Sequence, residues 1–263
     1  MCQAFSALVT KSKKVYWKTG VDSHDELQVM YVKKDKELKD DKEPPNNTFA
    51  RIEIAPKNRD YLNPDKWIYN IDERVKPKWL KKSYEKPCRE AWKLWKEEVY
   101  SLIDLEGLKN LIHPFKITPP KKITKKHLNL LRQWDSVWDS VRGSVWDSVR
   151  DSVRDSVGGS VWDSVRDSVW DSVRGSVWDS VRDSVGDSVG GSVGGSVRDS
   201  VWAYTGSHFE IKKWRYTDKI KIKGYPFQSV VKLWKMGLVP SYDGKVWRLH
   251  GGKKANILWE GKI

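Results

Sequence analysis

The chain has 263 residues, 49 basic against 35 acidic side chains for a formal net charge of +14, 16 tryptophans and two cysteines. Two cysteines are too few for a stapled secreted scaffold, and nothing at the start reads as a signal peptide, so the sequence predicts a reducing cytoplasm. No stretch approaches the roughly eighteen apolar residues that a membrane span needs, which argues against a transmembrane protein and against a membrane partner.

Composition changes abruptly near Trp134 and again near Trp202. Residues 1–133 carry 29 basic and 19 acidic side chains, 134–201 carry 7 and 12, and 202–263 carry 13 and 4. These changes divide the chain into four parts: a basic α+β domain over 1–115, a Lys/Pro linker and cap over 116–133, a repeat array over 134–205, and a small basic α+β cap domain over 206–263.

In the first part Ala4 to Val9 and Val15 to Trp17 read as a hairpin. Ser23 to Glu26 is S-x-x-E, a capping box that starts a short helix. Residues 33–48 are charged and Pro-rich and read as a loop. Phe49 to Ile54 and Trp67 to Ile71 alternate as strands, and Ala91, Leu94, Trp95, Val99 and Leu102 give one apolar face to a helix between Pro87 and Leu105. His127 to Gln133 is expected to be a helical cap on the first end of the array.

From Trp134 to Val201 the chain is seventeen unbroken copies of x-D/G-S-V with Trp, Arg or Gly at the first position, and Trp202 to Thr205 is a decayed further copy. Such repetition predicts a solenoid, because no unit can bury its apolar face until neighbours stack on it. In one long helix, four residues advance about 400°, so the Val stripe would drift about 40° per copy and wind nearly twice round the array. Gly, Ser, Val and Asp are also weak helix formers. A continuous strand would put Val and Asp on one face. Each copy is therefore expected to turn a corner, with Val inward, Asp or Gly at the bend, and Trp, Arg or Gly in solvent.

Gly143, Gly159, Gly175 and Gly191 are sixteen residues apart. The expected fold class is thus mainly β with α+β flanks, centred on a four-sided β-solenoid with 16 residues per coil and 4 per side. In that register Trp146, Trp162 and Trp178 form one outward column, and Arg150, Arg166, Arg182 and Arg198 another, offset by Asp151, Asp167, Asp183 and Asp199. Shortening Val165 is expected to be costly and Trp162→Arg cheap. The alternative is neutral expansion of a twelve-nucleotide repeat into a disordered polymer. The array resembles pentapeptide-repeat proteins, whose four-sided β-helix has five residues per side, so the resemblance is one of architecture.

In the last part Phe209 to Trp214 reads as a strand, Phe227 to Met236 as a helix stopped by Gly237, and Asp243-Gly244 as a hairpin turn. The opening MCQAFS and the segment YPFQSVVKLWKMGLVPSYDGKVWRLHGG resemble uncharacterised proteins of phages and gut bacteria that surround similar arrays. That resemblance covers most of both flanks and implies phage or prophage origin, hence a bacterial host cytoplasm; it brings no biochemistry with it.

Chemistry is sparse. Cys2, exposed by removal of Met1, has the form of an N-terminal nucleophile, but Gln3-Ala4-Phe5 continues a strand pattern where those amidohydrolases place Gly, so a buried thiol is the simpler reading. His24, His113, His127, His208 and His250 are dispersed without metal-ligand spacing, and no metal or cofactor is expected. Lys212, Lys213, Arg215, Lys219, Lys221 and Lys223 interleave with Trp214 and Tyr216, a mixture suited to phosphates and bases; the competing reading is a solvated basic strand with Trp214 in the core. The first expectation for function is a non-enzymatic scaffold that binds or spaces, displaying its Trp and Arg columns to a protein or other macromolecule. The alternative is nucleic-acid binding through the basic flanks, and the third is an amidohydrolase-like enzyme using Cys2.

Overall fold

Alternating apolar residues in the first flank build an antiparallel sheet from β1 (Phe5–Thr10), β2 (Val15–Tyr16), β3 (Phe49–Ala55) and β4 (Ile68–Ile71), in the order β2-β1-β3-β4. This computed structural model describes residues 5–39, 42, 45–57, 60–141, 145–169, 173–185, 187–220 and 222–263. On one face Val9, Ala50 and Ile52 pack with Tyr84 and with Cys88 of α2 (Glu85–Tyr100). On the other, Leu8 and Phe49 pack with Leu38 and with Leu27 of α1 (His24–Tyr31). The Ser23 N-cap is formed: its hydroxyl accepts from the Glu26 backbone N–H at 3.3 Å, an interaction worth about 1 kcal/mol. On α2 the buried stripe is Cys88, Ala91, Trp92, Trp95 and Val99. Leu94, expected on that face, lies about 120° round the helix from its centre and is 60% exposed.

The β-solenoid is not seen: the chain is about 49% helical, and the array is a series of helices. After α3 (Leu105–Lys109) come α4 (Lys125–Val141), α5 (Val145–Val157), α6 (Gly159–Val169), α7 (Gly175–Val185) and α8 (Asp187–Gly206). The drift of the Val stripe forbids one long helix, but not short ones. Each of α5, α6, α7 and α8 holds three or four array valines, so the drift inside it is about 80–120°, close to the roughly 100° apolar stripe of an ordinary amphipathic helix. Val145, Val149, Val153, Val157, Val165, Val177, Val181, Val193, Val197 and Val201 are all at most 2% exposed.

The other columns suit a helix as well. Asp or Gly lies about 160° from Val, on the far side, with Ser and the variable position flanking the stripe. Serine is tolerated inside where its hydroxyl bonds back to its own helix, as buried Ser196 does to the Val193 carbonyl and buried Ser200 to that of Ser196, each at 2.9 Å. Two of the glycines sixteen residues apart mark helix starts rather than corners, since Gly159 opens α6 and Gly175 opens α7; Gly191 lies within α8, and Gly143 lies outside the described residues. Between α5 and α6 the chain turns at Gly158, whose φ of +97° is left-handed and therefore suits glycine. His127 to Gln133 is no separate cap but part of α4, which runs into the array.

The chain divides into two compact units, one holding the described part of 1–103 with Val153–Val165, the other Asp104–Ser152 with Arg166–Ile263. In the first, the array segment is held closely: a Cβ on Gly20 would lie 2.6 Å from the Asp155 carbonyl oxygen, and Gly159 N–H donates to Asp22 Oδ2 at 3.1 Å. In the second, α9 (Gln228–Lys235) precedes the antiparallel sheet β5 (Leu238–Tyr242), β6 (Trp247–Gly251) and β7 (Asn256–Gly261). Gly237 at φ +73° follows α9, and the β5–β6 turn carries Gly244 at φ +95°. Array tryptophans pack inward here: the buried Trp134 ring meets Phe227 at 6.3 Å, and the half-buried Trp138 meets Tyr242 and Trp247 at 5.7 Å each. Tyr204 stacks on Trp234 at 5.1 Å. The expected strand from Phe209 to Trp214 is absent, because Trp214 is drawn inward against Tyr225 (4.9 Å) and the next N–H, of Arg215, bonds to Ser152 Oγ at 2.8 Å.

Trp162 has no exposed surface, which reverses the expectation that Trp162→Arg is cheap. Val165→Ala is expected to cost about 1–3 kcal/mol and Trp162→Ala about 3–5 kcal/mol. Urea unfolding checks the ranking, and a Trp162 variant as stable as the parent would contradict this packing.

Candidate binding surfaces

Trp146, Trp162 and Trp178 form no exposed column. Trp162 is buried, and Trp146 is half-buried with its ring 4.3 Å from that of Trp202. Trp178 is half-buried against α8, where a Cβ on Gly194 would meet its ring at 3.2 Å. The reason is geometric: the variable position borders the Val stripe, so when the stripe packs, the largest side chain beside it is covered too. The Arg column is likewise engaged. Arg150 pairs with Asp147 and Asp151, each at 2.8 Å, Arg166 with Asp167 at 2.9 Å, Arg182 with Asp179 at 3.4 Å, and Arg198 with Asp199 at 3.7 Å. Asp three residues before Arg is a helix-surface neighbour, so these four arginines are paired within the array, which keeps an acidic surplus of 12 acidic against 7 basic side chains.

The basic segment after the array is where exposed charge collects. Residues 210–220 and 222–224 form no helix or strand, and Lys212, Lys213, Arg215, Lys219 and Lys223 are exposed. Trp214 is in the core at 4% exposure, but Tyr216 is 52% exposed. Its hydroxyl donates to Asp151 Oδ2 at 2.9 Å, which fastens the segment to α5. The Arg150 hydrogen bond holds that Asp151 carboxyl below the usual range. Beside the segment lies a shallow cleft lined by Arg132, Gln133, Ser136, Ser140, Lys219 and Ile220. Lys221 lies outside the described residues. The alternation of basic and aromatic residues marks this segment in the sequence, and only its backbone differs from the expected strand.

The nucleophile and histidine candidates separate clearly. Cys2 lies outside the described residues, and Cys88 is buried with its thiol pushed up to about 12 by that burial. His250 receives the Ser241 hydroxyl at Nε2 (2.7 Å) and faces the Ala255 carbonyl with Nδ1 (3.0 Å), but both side chains are fully buried and burial pushes the imidazole down to about 4. His208 sits 3.1 Å from Asp104, again buried. The His250–Ser241 pair is built into the core, whereas His208 is buried against an Asp104 carboxylate that is 52% exposed. His24 is different: it meets Glu53 and Asp72, far apart in sequence, in a cluster that linear spacing could not reveal. Among the described residues, no helix is long and apolar enough to cross a membrane. No protein-family model, curated protein or solved structure matches the chain.

One array carboxylate bears on stability. Asp199 is 1% exposed and accepts from Trp138 Nε1 at 2.8 Å. Desolvation raises its pKa above 3.8 despite that bond and despite Arg198. With the folded value above the unfolded one, the group favours folding only while protonated; its contribution is full below the unfolded value and is lost as pH rises through the folded value. Asp199→Asn is therefore expected to raise the denaturation midpoint at pH 7 and to bring no gain near pH 3. A variant equally stabilised at both pH values, or destabilised at pH 7, would contradict a costly buried charge.

Proposed function

We propose that the protein is a non-enzymatic nucleic-acid-binding protein, in which the repeat array is the internal framework and the segment 210–223 engages a single-stranded backbone. The observation that carries this reading is the set of exposed cations Lys212, Lys213, Arg215, Lys219 and Lys223 around the half-exposed ring of Tyr216. Exposed cations along an irregular segment pair with a phosphate backbone, and an aromatic ring among them gives a base somewhere to stack. Two further points support it. The four lysines form no ion pair with a described residue, unlike the array arginines. Residues 202–263 also carry 13 basic against 4 acidic side chains, an imbalance that favours association with polyanions.

A labelled oligothymidine and an oligouridine, followed by fluorescence anisotropy, test the reading. Five phosphate contacts on a single strand imply a log–log salt slope of about −3.5, a loss of roughly a hundredfold in affinity between 50 and 200 mM salt. Lys212→Ala with Lys213→Ala should flatten that slope by about 1.4. Tyr216→Ala should cost about 1–3 kcal/mol, while Tyr216→Phe, which keeps the ring and loses only the bond to Asp151, should cost less. Binding that is absent at 50 mM salt, or unchanged in the double lysine variant, would refute the proposal.

A further inference from the structure

We infer that His24, Glu53 and Asp72 form a binding site for a divalent transition-metal ion of the zinc class. This does not rest on the nucleic-acid reading: all three residues belong to the first unit. The sheet register brings the carboxylates together. Glu53 on β3 pairs with Asn70 on β4, so Asp72, two residues beyond Asn70, points to the same face as Glu53. That is the face covered by α1, whose first residue is His24, fixed by the Ser23 cap. The three ligand atoms lie within 4.8 Å of one another.

The histidine is oriented as a metal ligand is. Its Nε2 lies 3.0 Å from the Ile52 carbonyl oxygen, which can only accept, so Nε2 carries a proton and Nδ1 is turned to the carboxylates. A backbone carbonyl on the far ring nitrogen is the usual outer partner of a metal-bound imidazole, because it sets both tautomer and ring plane. Nδ1 stands 3.3 Å from Asp72 Oδ2. In a neutral ring that contact sets a lone pair against a carboxylate oxygen, a repulsion that a cation between the two atoms relieves.

The geometry and charge favour the metal. Bonds of about 2.0–2.2 Å in a tetrahedron put adjacent ligand atoms about 3.3–3.6 Å apart, which the 3.3 Å separation matches. A second proton would serve Asp72 alone. The Glu53 carboxylate is half-buried in the same cluster and makes no hydrogen bond or ion pair with a described residue. Arg51, on the same face of β3, is directed instead to Asp25 (3.7 Å) and Glu73 (3.6 Å). A divalent ion engages all three groups and balances two carboxylates. Because one donor is an imidazole and only three protein donors converge, the set suits zinc-like ions better than magnesium or calcium, which demand six or more oxygens. Asp72, with a side chain 53% exposed, gives the ion a path from solvent.

The test is titration of the full chain with zinc chloride, by calorimetry and by competition with a chromogenic chelator. One equivalent is expected to bind, and Glu53→Gln and Asp72→Asn are each expected to weaken binding by at least about tenfold. Excess magnesium should leave zinc bound. X-ray absorption of the zinc-loaded parent should show one imidazole among oxygen donors and no sulfur, a readout that does not need the variants to fold. The inference is overturned if no equivalent binds, if both variants bind as the parent does, if magnesium displaces zinc, or if the spectrum shows sulfur or several imidazoles.

Discussion

Burial of a valine at every fourth position is the constraint on which the rest of this structure depends. The α-helix repeats every 3.6 residues, so a four-residue pattern walks round it by about 40° per copy. A helix can keep such a stripe on one side only while it is short. The array answers by dividing into helices of 11 to 20 residues from α5 to α8, each burying its own sector of valine. Individual valines contribute about 1.5–3 kcal/mol on burial, and together they outweigh the weak helix propensity of Gly, Ser and Asp, which amounts to about 1 kcal/mol per residue at most. Serine back-bonding removes a further objection, since each buried hydroxyl that bonds its own helix leaves no polar group stranded.

The same packing decides what the surface can do. A position adjoining the buried stripe cannot hold tryptophan in solvent, so Trp134, Trp162 and Trp202 enter the core and Trp138 joins the aromatic group of Tyr242 and Trp247. Arginine at that position reaches the aspartates one residue after it or three before it, so Arg150, Arg166, Arg182 and Arg198 are paired within the array. The positive charge of the flanks is left unbalanced. The stretch after the array, anchored through Tyr216 and the Arg215 N–H to α5, holds Lys212, Lys213, Lys219 and Lys223 exposed.

The first unit rests on another economy. Its sheet is covered on both faces, by α2 on one and by α1 and Leu38 on the other, so a polar cluster formed on the α1 face is partly withdrawn from water. Withdrawal strengthens whatever electrostatic interaction is made there and penalises whatever is not. His24, Glu53 and Asp72 therefore form a place where a cation is favoured, while buried Asp199 in the other unit is a place where a charge is only tolerated.

Local chemistry alone determined the parts governed by short-range rules. The Ser23 cap, the strands β1, β3 and β4, the stop after α9 and the Asp243-Gly244 turn depend on neighbouring residues, and the sequence carries them. The inward direction of valine was also legible, because no other apolar residue recurs in every copy. The secondary structure of the array was not. Val, Ser and Asp columns fit a cornered strand and a short helix equally well, and the choice turns on where each helix stops and what covers its stripe, which are properties of the whole fold. Leu94 was misplaced because it stands about 120° round α2 from the buried stripe, whereas Trp214 lies in the core, as the competing reading of the basic segment has it. The basic segment could be read because its residues are contiguous. The His24, Glu53 and Asp72 cluster could not, because only strand register and the placement of α1 bring together three residues spread over 49 positions of chain.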